Sequence, residues 1–118
     1  MKIDATAALK RLGIKHAVRF VAVDNAGTAT ADAGVSPLDP TTVLVNPDRL
    51  FRRDEQRIRE IIAHELVHVA QMQEIGDPVT AAWAYEREND EHGYKGNRFE
   101  REANELAPYF APYIEVTA

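Results

Sequence analysis

The strongest constraint on the fold is the segment 58–75, in which large apolar residues recur at helical spacing. Six of them would form one stripe along a helix: Ile58, Ile61, Ile62, Leu66, Val69 and Met72. A helix with such a stripe must bury it against other elements of the chain. The segment therefore predicts a long helix in contact with the hydrophobic core.

The same segment contains the sequence His64-Glu65-x-x-His68. On a helix, this spacing puts both imidazoles on one face, a turn apart, where they can bind a single metal ion. Zinc accepts neutral imidazole nitrogens, and a zinc site with three protein ligands keeps its fourth position for water. Glu65 would lie beside the ion, placed to take a proton from a metal-bound water. The pattern favours a zinc site over two histidines that share a helix face by coincidence.

Length and composition narrow the class of protein. A chain of 118 residues can bury one hydrophobic core, so we expect a single domain over residues 1–118. A net charge of −5 argues against nucleic acid or an anionic membrane surface as a partner. Because the chain has no cysteine, a metal must be held by His, Asp or Glu. Residues 1–5 do not resemble the start of a secretory signal, and no apolar run suffices to span a bilayer, so we expect a cytoplasmic monomer.

The order of the predicted elements is helix, strands, then three helices, which is an α+β arrangement. In chain order we expect a helix over 5–12, strands over 18–23 and 42–45, and helices over 55–74, 78–89 and 98–107. Residues 28–31 are open to two interpretations, a short edge strand or a loop. Residues 92–96 are predicted to form a loop. The tail 113–116 has strand character, and one hypothesis is that it lies along the sheet edge.

Helix boundaries follow from capping and breaking residues. Asp54 is a suitable N-cap for the histidine helix and Gly76 a suitable stop. Asp77 followed by proline starts the next helix, and Asn97 caps the last one. Pro108 should end that last helix, because proline lacks a donor and clashes with the preceding turn.

The sequence leaves the third metal ligand open. The candidates are His16, His92, Glu100, Glu102 and Glu105. Glu100 also has a competing structural role, because Asn97-x-x-Glu100 is the spacing of a capping box, in which the glutamate bonds back to the backbone of the cap residue.

His64-Glu65-x-x-His68, followed by Glu100-x-x-Ala103-Asn104, resembles the gluzincin zinc metallopeptidases. The order of residues over 58–107 is also similar to small single-domain zincin-like proteins, including phage and bacterial ones. The resemblance implies that Glu100 is the third zinc ligand and that Asn104 supports one of the histidines. Gluzincins have an acidic residue at the position of Asn104, whose amide would accept an imidazole N–H without adding negative charge.

The resemblance further implies a zincin-like fold, with about three strands packed on the histidine helix and the glutamate helix crossing beneath. The implied function is hydrolysis of peptide bonds in a peptide or protein substrate that pairs with an edge strand at residues 28–32. The reaction needs a donor for the developing oxyanion. The candidates are Tyr94, Tyr85, Tyr109 and His92, and Tyr94 is favoured because its glycine-flanked segment leads into the glutamate helix. Two alternatives are an inactive zincin-like binding or assembly module with a structural zinc, and a structural protein without metal.

Overall fold

The computed structural model describes residues 1–24, 31–36 and 39–117. In chain order, the elements are β1 (Lys2–Asp4), α1 (Thr6–Arg11), β2 (Arg19–Ala22), β3 (Ala33–Val35), β4 (Thr42–Val45), α2 (Pro47–Leu50), α3 (Glu55–Ile75), α4 (Pro78–Gly96), α5 (Arg98–Phe110), a 3-10 turn (Ala111–Tyr113) and β5 (Glu115–Thr117). The predicted α+β class is confirmed. Within the described ranges, no helix combines the length and apolar character needed to cross a membrane.

A three-stranded sheet in the order β2-β4-β3 forms one side of the molecule. The central strand β4 runs parallel to β2 and antiparallel to β3, and its Val43 and Val45 are fully buried. The strands predicted over 18–23 and 42–45 are therefore present. Strands β2 and β3 are the two edges of this sheet, and β3 is the edge that contacts the histidine helix. The prediction of an edge strand over 28–32 is wrong for Ala31 and Asp32, which precede β3; residues 28–30 lie outside the described ranges.

Helix α3 is the predicted histidine helix, and it lies between the sheet and α5. The Asp54 carboxylate accepts a hydrogen bond from the Arg57 N–H at 2.8 Å, and the helix ends at Gly76, whose φ of 90° is open to glycine at low cost. Ile62 and Leu66 are fully buried in the main core. Because α3 contacts both β3 and α5, the side chains that it points between them can form a site.

Helix α4 is longer than predicted. It continues through residues 92–96, which were expected to form a loop, and is interrupted only at Gly93, where φ is 72° and ψ is 172°. A residue with a Cβ rarely adopts this conformation, so Gly93 lets the chain kink and resume a helical turn before Asn97. The continuation of the helix past Gly93 was not predicted, because a glycine near a helix end usually indicates that the helix stops there.

Helix α5 also continues beyond its predicted end. It runs to Phe110 with Pro108 inside it, so the prediction that Pro108 ends the helix is wrong. Pro108 cannot donate to the carbonyl of Asn104, but Asn104 is exposed, so water can satisfy that carbonyl instead.

The two ends of the described chain pair with each other. Strand β5 runs antiparallel to β1, with Val116 opposite Ile3, in a second, two-stranded sheet. The idea that the tail lies along the edge of the main sheet is therefore wrong. Strand β1 has only three residues, too few to show an alternating pattern in the sequence.

Candidate metal centre

Three predicted ligands meet between α3 and α5. The Oε1 atom of Glu100 lies 2.9 Å from Nε2 of His64 and 2.9 Å from Nε2 of His68, and the two Nε2 atoms are 3.2 Å apart. The histidines come from neighbouring turns of α3, and the glutamate comes from the first turn of α5. This group can hold a metal ion.

Glu100 does not serve as the second half of a capping box. Asn97 does cap α5, and its Oδ1 accepts the N–H groups of Phe99 at 2.9 Å and of Glu100 at 3.4 Å. The Glu100 carboxylate instead points to the two histidines, His64 and His68. The Asn97 N–H, which a capping box would pair with Glu100, bonds instead to the Tyr94 carbonyl.

The other candidate ligands lie elsewhere. His92 is exposed, and its nearest charged partner is Glu91 at 3.8 Å. Glu102 and Glu105 are exposed on α5, and His16 contacts the backbone of the neighbouring Ala17. Within the described ranges, the structure therefore brings only Glu100 to the histidine pair.

Gln71 determines which nitrogen of His68 faces the centre. Its Nε2 donates to the Phe99 carbonyl and to the Glu102 carboxylate, both at 3.0 Å, so its Oε1 must be the atom that lies 2.8 Å from Nδ1 of His68. An amide oxygen only accepts, so Nδ1 of His68 carries the proton. Gln71 has no role predicted from the sequence, although its spacing of three from His68 puts both side chains on one helix face.

This tautomer leaves Nε2 of a neutral His68 with a lone pair aimed at a carboxylate oxygen of Glu100. Two acceptors at 2.9 Å need a cation between them, either a proton or a metal ion. Burial of the ring disfavours its charge, but the hydrogen bond to Glu100 and the charges of Glu65 and Glu100 outweigh it and raise the pKa of His68. The geometry therefore attracts positive charge.

The donor set and its spacing fit zinc. Two imidazole nitrogens and one carboxylate oxygen are common zinc ligands, with bonds of about 2.0–2.1 Å and tetrahedral angles that separate the donors by about 3.3 Å. The donor atoms here form a triangle with edges of 2.9, 2.9 and 3.2 Å. Small outward movements of His64, His68 and Glu100 would therefore suffice to admit the ion.

Glu65 lies at the margin of this triangle. Its Oε1 is 3.9 Å from Nε2 of His64, and its side chain is 10% exposed. Burial raises the pKa of Glu65, opposed by the nearby histidines. A carboxylate whose pKa is raised toward neutrality holds an abstracted proton more readily, which suits a general base.

Two tyrosines border the centre with different contacts. The Tyr85 hydroxyl donates a hydrogen bond to the second oxygen of Glu100, and burial together with this carboxylate raises the pKa of Tyr85. Tyr94, the predicted oxyanion donor, lines the cleft, and burial followed by the charges of Glu100 and Glu65 raises its pKa. Tyr109 is 72% exposed and lines no described cavity.

The centre opens into a cleft of about 410 Å³. One wall is the edge strand β3, and the other includes Pro78, Ala82 and Tyr85 of α4. Strand β3 pairs with β4 on one side, and among the described residues no strand pairs with its other side. The Ser36 N–H bonds to β4, so alternation turns the backbone groups of Ala33 and Val35 toward this free side.

Asn104 is exposed and shares a second cavity with His64. Within the described ranges its side chain forms no hydrogen bond with either histidine, so its supporting role stays a prediction. For His68, the contact expected of Asn104 is made by Gln71.

Comparison of the chain with protein-family models, with curated proteins and with solved structures finds no match in any of the three. A function for this chain is therefore inferred from the geometry of the centre.

Proposed function

We propose that this protein is a zinc-dependent peptidase of the gluzincin type, in which His64, His68 and Glu100 hold the ion. The observation that carries the proposal is the pair of contacts made by His68: Nδ1 lies 2.8 Å from Oε1 of Gln71, and Nε2 lies 2.9 Å from Oε1 of Glu100. With the proton on Nδ1, the Nε2 lone pair faces this carboxylate. A divalent cation satisfies both of these groups and His64 at once. Glu65, buried beside the same three donors, supplies the base that distinguishes hydrolysis from simple metal binding.

When bound, zinc would polarise the scissile carbonyl and make water acidic enough to ionise near neutral pH. The residues of the chain do the rest. Glu65 takes a proton from the attacking water and passes it to the leaving amine. Tyr94 donates a hydrogen bond to the oxygen of the carbonyl as its negative charge develops.

The substrate in this proposal is an extended peptide that lies along β3. The backbone groups of Ala33 and Val35 face the free side of the strand, where they can form main-chain hydrogen bonds with a peptide. Because Ala33 has a small side chain and Gly34 has none, the peptide backbone can approach closely. This pairing would carry the scissile bond past His64 and Glu65, which line the same cleft.

The test compares three purified proteins: wild type, Glu65→Gln and Glu100→Ala. We expect one zinc per chain in wild type and in Glu65→Gln, and loss or strong weakening of zinc binding in Glu100→Ala. Cleavage of a mixed peptide library should fall by about 10²–10⁴-fold in Glu65→Gln, because it removes the general base. Glu74→Gln, an exposed change on the same helix, is the matched control and should behave as wild type. Undiminished cleavage by Glu65→Gln would refute the mechanism.

A second candidate function is a zinc-stabilised binding or assembly module without catalysis. The observation that favours it is the origin of the ligands on α3 and α5, because an ion at the centre would cross-link two helices that pack together. In that case zinc would raise the melting temperature of wild type and Glu65→Gln equally, and neither protein would cleave the library.

A further inference from the structure

A second cavity, of about 320 Å³, adjoins the cleft and is lined by three arginines. It shares Ala33, His64, Glu65 and Tyr94 with the cleft, so the two spaces meet at the metal centre. The arginines are Arg49 of α2, Arg53 just before α3 and Arg57 in the first turn of α3. The cleft itself contains no arginine among its described lining residues.

The carboxylates of this cavity contact the three arginines unequally. Asp32 contacts Nε of Arg53 at 2.9 Å and Nε of Arg49 at 3.3 Å, and it is only 10% exposed. Arg57 has a looser contact, 3.6 Å from its Nη1 to Glu60, and its side chain is 60% exposed. A guanidinium has five N–H groups, so this one contact among the described side chains leaves Arg57 with donors that a ligand in the cavity can use.

Charged groups of both signs line the cavity. Its described lining contains three guanidinium groups and the carboxylates of Asp32, Glu60 and Glu65, of which Asp32 and Glu60 contact the arginines. Glu65 forms the wall toward the centre, where its proton-accepting role already occupies it. The planar fork of arginine matches a carboxylate in two parallel hydrogen bonds, and lysine does not offer this geometry.

We infer that the arginine-lined cavity is a subsite for a substrate carboxylate, so that the enzyme selects acidic peptides. The carboxylate is either an Asp or Glu side chain near the scissile bond or the free C-terminus of the peptide. This inference rests on the proposed peptidase function and deepens it by naming the substrate class. Arg57 is its main donor, because it is the least engaged of the three.

For each tested position, the experiment uses four forms of one peptide: Glu or Gln at that position, each with a free or an amidated C-terminus. Cleavage by zinc-loaded wild type is measured as kcat/KM, and binding is measured separately with zinc-loaded Glu65→Gln, which should not turn over. The test variant is Arg57→Gln, made in both backgrounds. Arg59→Gln is the matched control, because Arg59 lies on the same helix, pairs with Glu55 and lines neither cavity.

We expect one carboxylate form to be preferred by roughly tenfold or more over its uncharged partner, as for a charge-assisted hydrogen bond. Arg57→Gln should reduce the preference to within about twofold, and Arg59→Gln should retain it. A preference among amidated peptides assigns the carboxylate to a side chain, and a preference only for free C-termini assigns it to the α-carboxylate. Arg57→Glu should reverse the preference in favour of a Lys-containing peptide, which shows that the variant is folded.

The two proposals fail in different ways. Cleavage without acidic preference, or a preference that Arg57→Gln leaves intact, overturns the subsite and leaves the peptidase standing. Arg57-dependent binding of the acidic peptide to Glu65→Gln, with no cleavage by wild type, supports the subsite and overturns the peptidase. Equal binding of all four forms by Glu65→Gln overturns the subsite whatever wild type does.

Discussion

The Nδ1 atom of His68 lies 2.8 Å from Oε1 of Gln71, while Nε2 of the same ring lies 2.9 Å from Oε1 of Glu100. Gln71 is itself fixed by two acceptors, so the imidazole is held in one orientation and one tautomer before a metal arrives. Outer contacts of this kind commonly orient metal-binding histidines and raise their basicity. Gln71 is thus as much a part of the proposed centre as the residues that would touch the ion.

Gln71→Leu should weaken zinc binding by about 10–100-fold, because His68 loses the acceptor that holds its tautomer. The measurement is a competition titration with a coloured chelator. Gln73→Leu is the control, since Gln73 lies on the same helix but bonds Gly13 and Lys15, away from the centre. Equal zinc affinities for Gln71→Leu and Gln73→Leu would contradict the role given to Gln71.

The variant Asn104→Ala tests whether Asn104 supports a histidine, as the gluzincin resemblance implies. Because Asn104 is exposed and forms no described hydrogen bond with either histidine, we expect zinc affinity to change by less than about threefold, well below the loss typical of an outer-shell partner. The same competition titration checks this. A loss larger than that of Gln71→Leu would show that Asn104 has the supporting role.

Tyr94→Phe and Tyr85→Phe should affect different quantities. Removing an oxyanion donor costs about 10²–10³-fold in kcat, which we expect for Tyr94→Phe with zinc affinity unchanged. Tyr85→Phe removes a donor to Glu100 and should instead weaken zinc binding by about tenfold. Steady-state kinetics and zinc titration on both variants provide the check, and the opposite pattern would exchange the roles of the two tyrosines.

Local signals in the sequence predicted much of this molecule. The stripe from Ile58 to Met72 predicted α3, and Asp54 and Gly76 predicted its two ends within one residue. The i, i+4 spacing of His64 and His68 put them on one face without any knowledge of the tertiary fold. These features depend only on the geometry of a single helix.

Features that depend on contacts between residues distant in sequence were harder to predict. Asn97-x-x-Glu100 fits a capping box as well as a ligand, and only the packing of α5 on α3 distinguishes the two. Pro108 was expected to end a helix, but its environment tolerates the missing donor. The pairing of β1 with β5 joins segments too short to show a pattern and too far apart to be paired by local reasoning.

The metal-free protein should lose stability as pH rises above about 6.5, and zinc should restore it. Burial alone would lower the pKa of His68, but the hydrogen bond to Glu100 and the charges of Glu65 and Glu100 raise it above its ordinary 6.5. The stability that His68 contributes is therefore complete below that pH and is lost as pH rises through its folded pKa. The raised pKa of Glu65 acts in the same direction from about 4.5 upward.

Glu100 acts in the opposite direction, at lower pH. Burial alone would raise its pKa, but hydrogen bonds from His64, His68 and Tyr85 lower it, so its contribution is present above about 4.5 and is lost as pH falls through its folded pKa. Because protons compete with zinc for His68, the increase in melting temperature caused by zinc should grow between pH 5.5 and 8. Thermal melts with and without zinc measure this, and an increase that shrank with rising pH would contradict a site built on His68.

Asp32→Asn should change stability and ligand binding in opposite directions. Hydrogen bonds from Arg53 and Arg49 hold the pKa of Asp32 below its usual range, so its contribution is present above about 3.8 and lost in acid. Because both arginines are more than a third exposed, we expect the variant to lose only about 1 kcal/mol at neutral pH. The same change removes a carboxylate that competes for Arg49 and Arg53, so an acidic peptide should bind zinc-loaded Asp32→Asn several-fold more tightly.

The control for this prediction is Asp39→Asn. Asp39 bonds Thr41 and Thr42 and lines neither cavity beside the centre, so the control should lose stability without any change in peptide affinity. Weaker binding of the acidic peptide to Asp32→Asn, with the fold intact by circular dichroism, would mean that Asp32 positions the arginines for the ligand and does not compete with it.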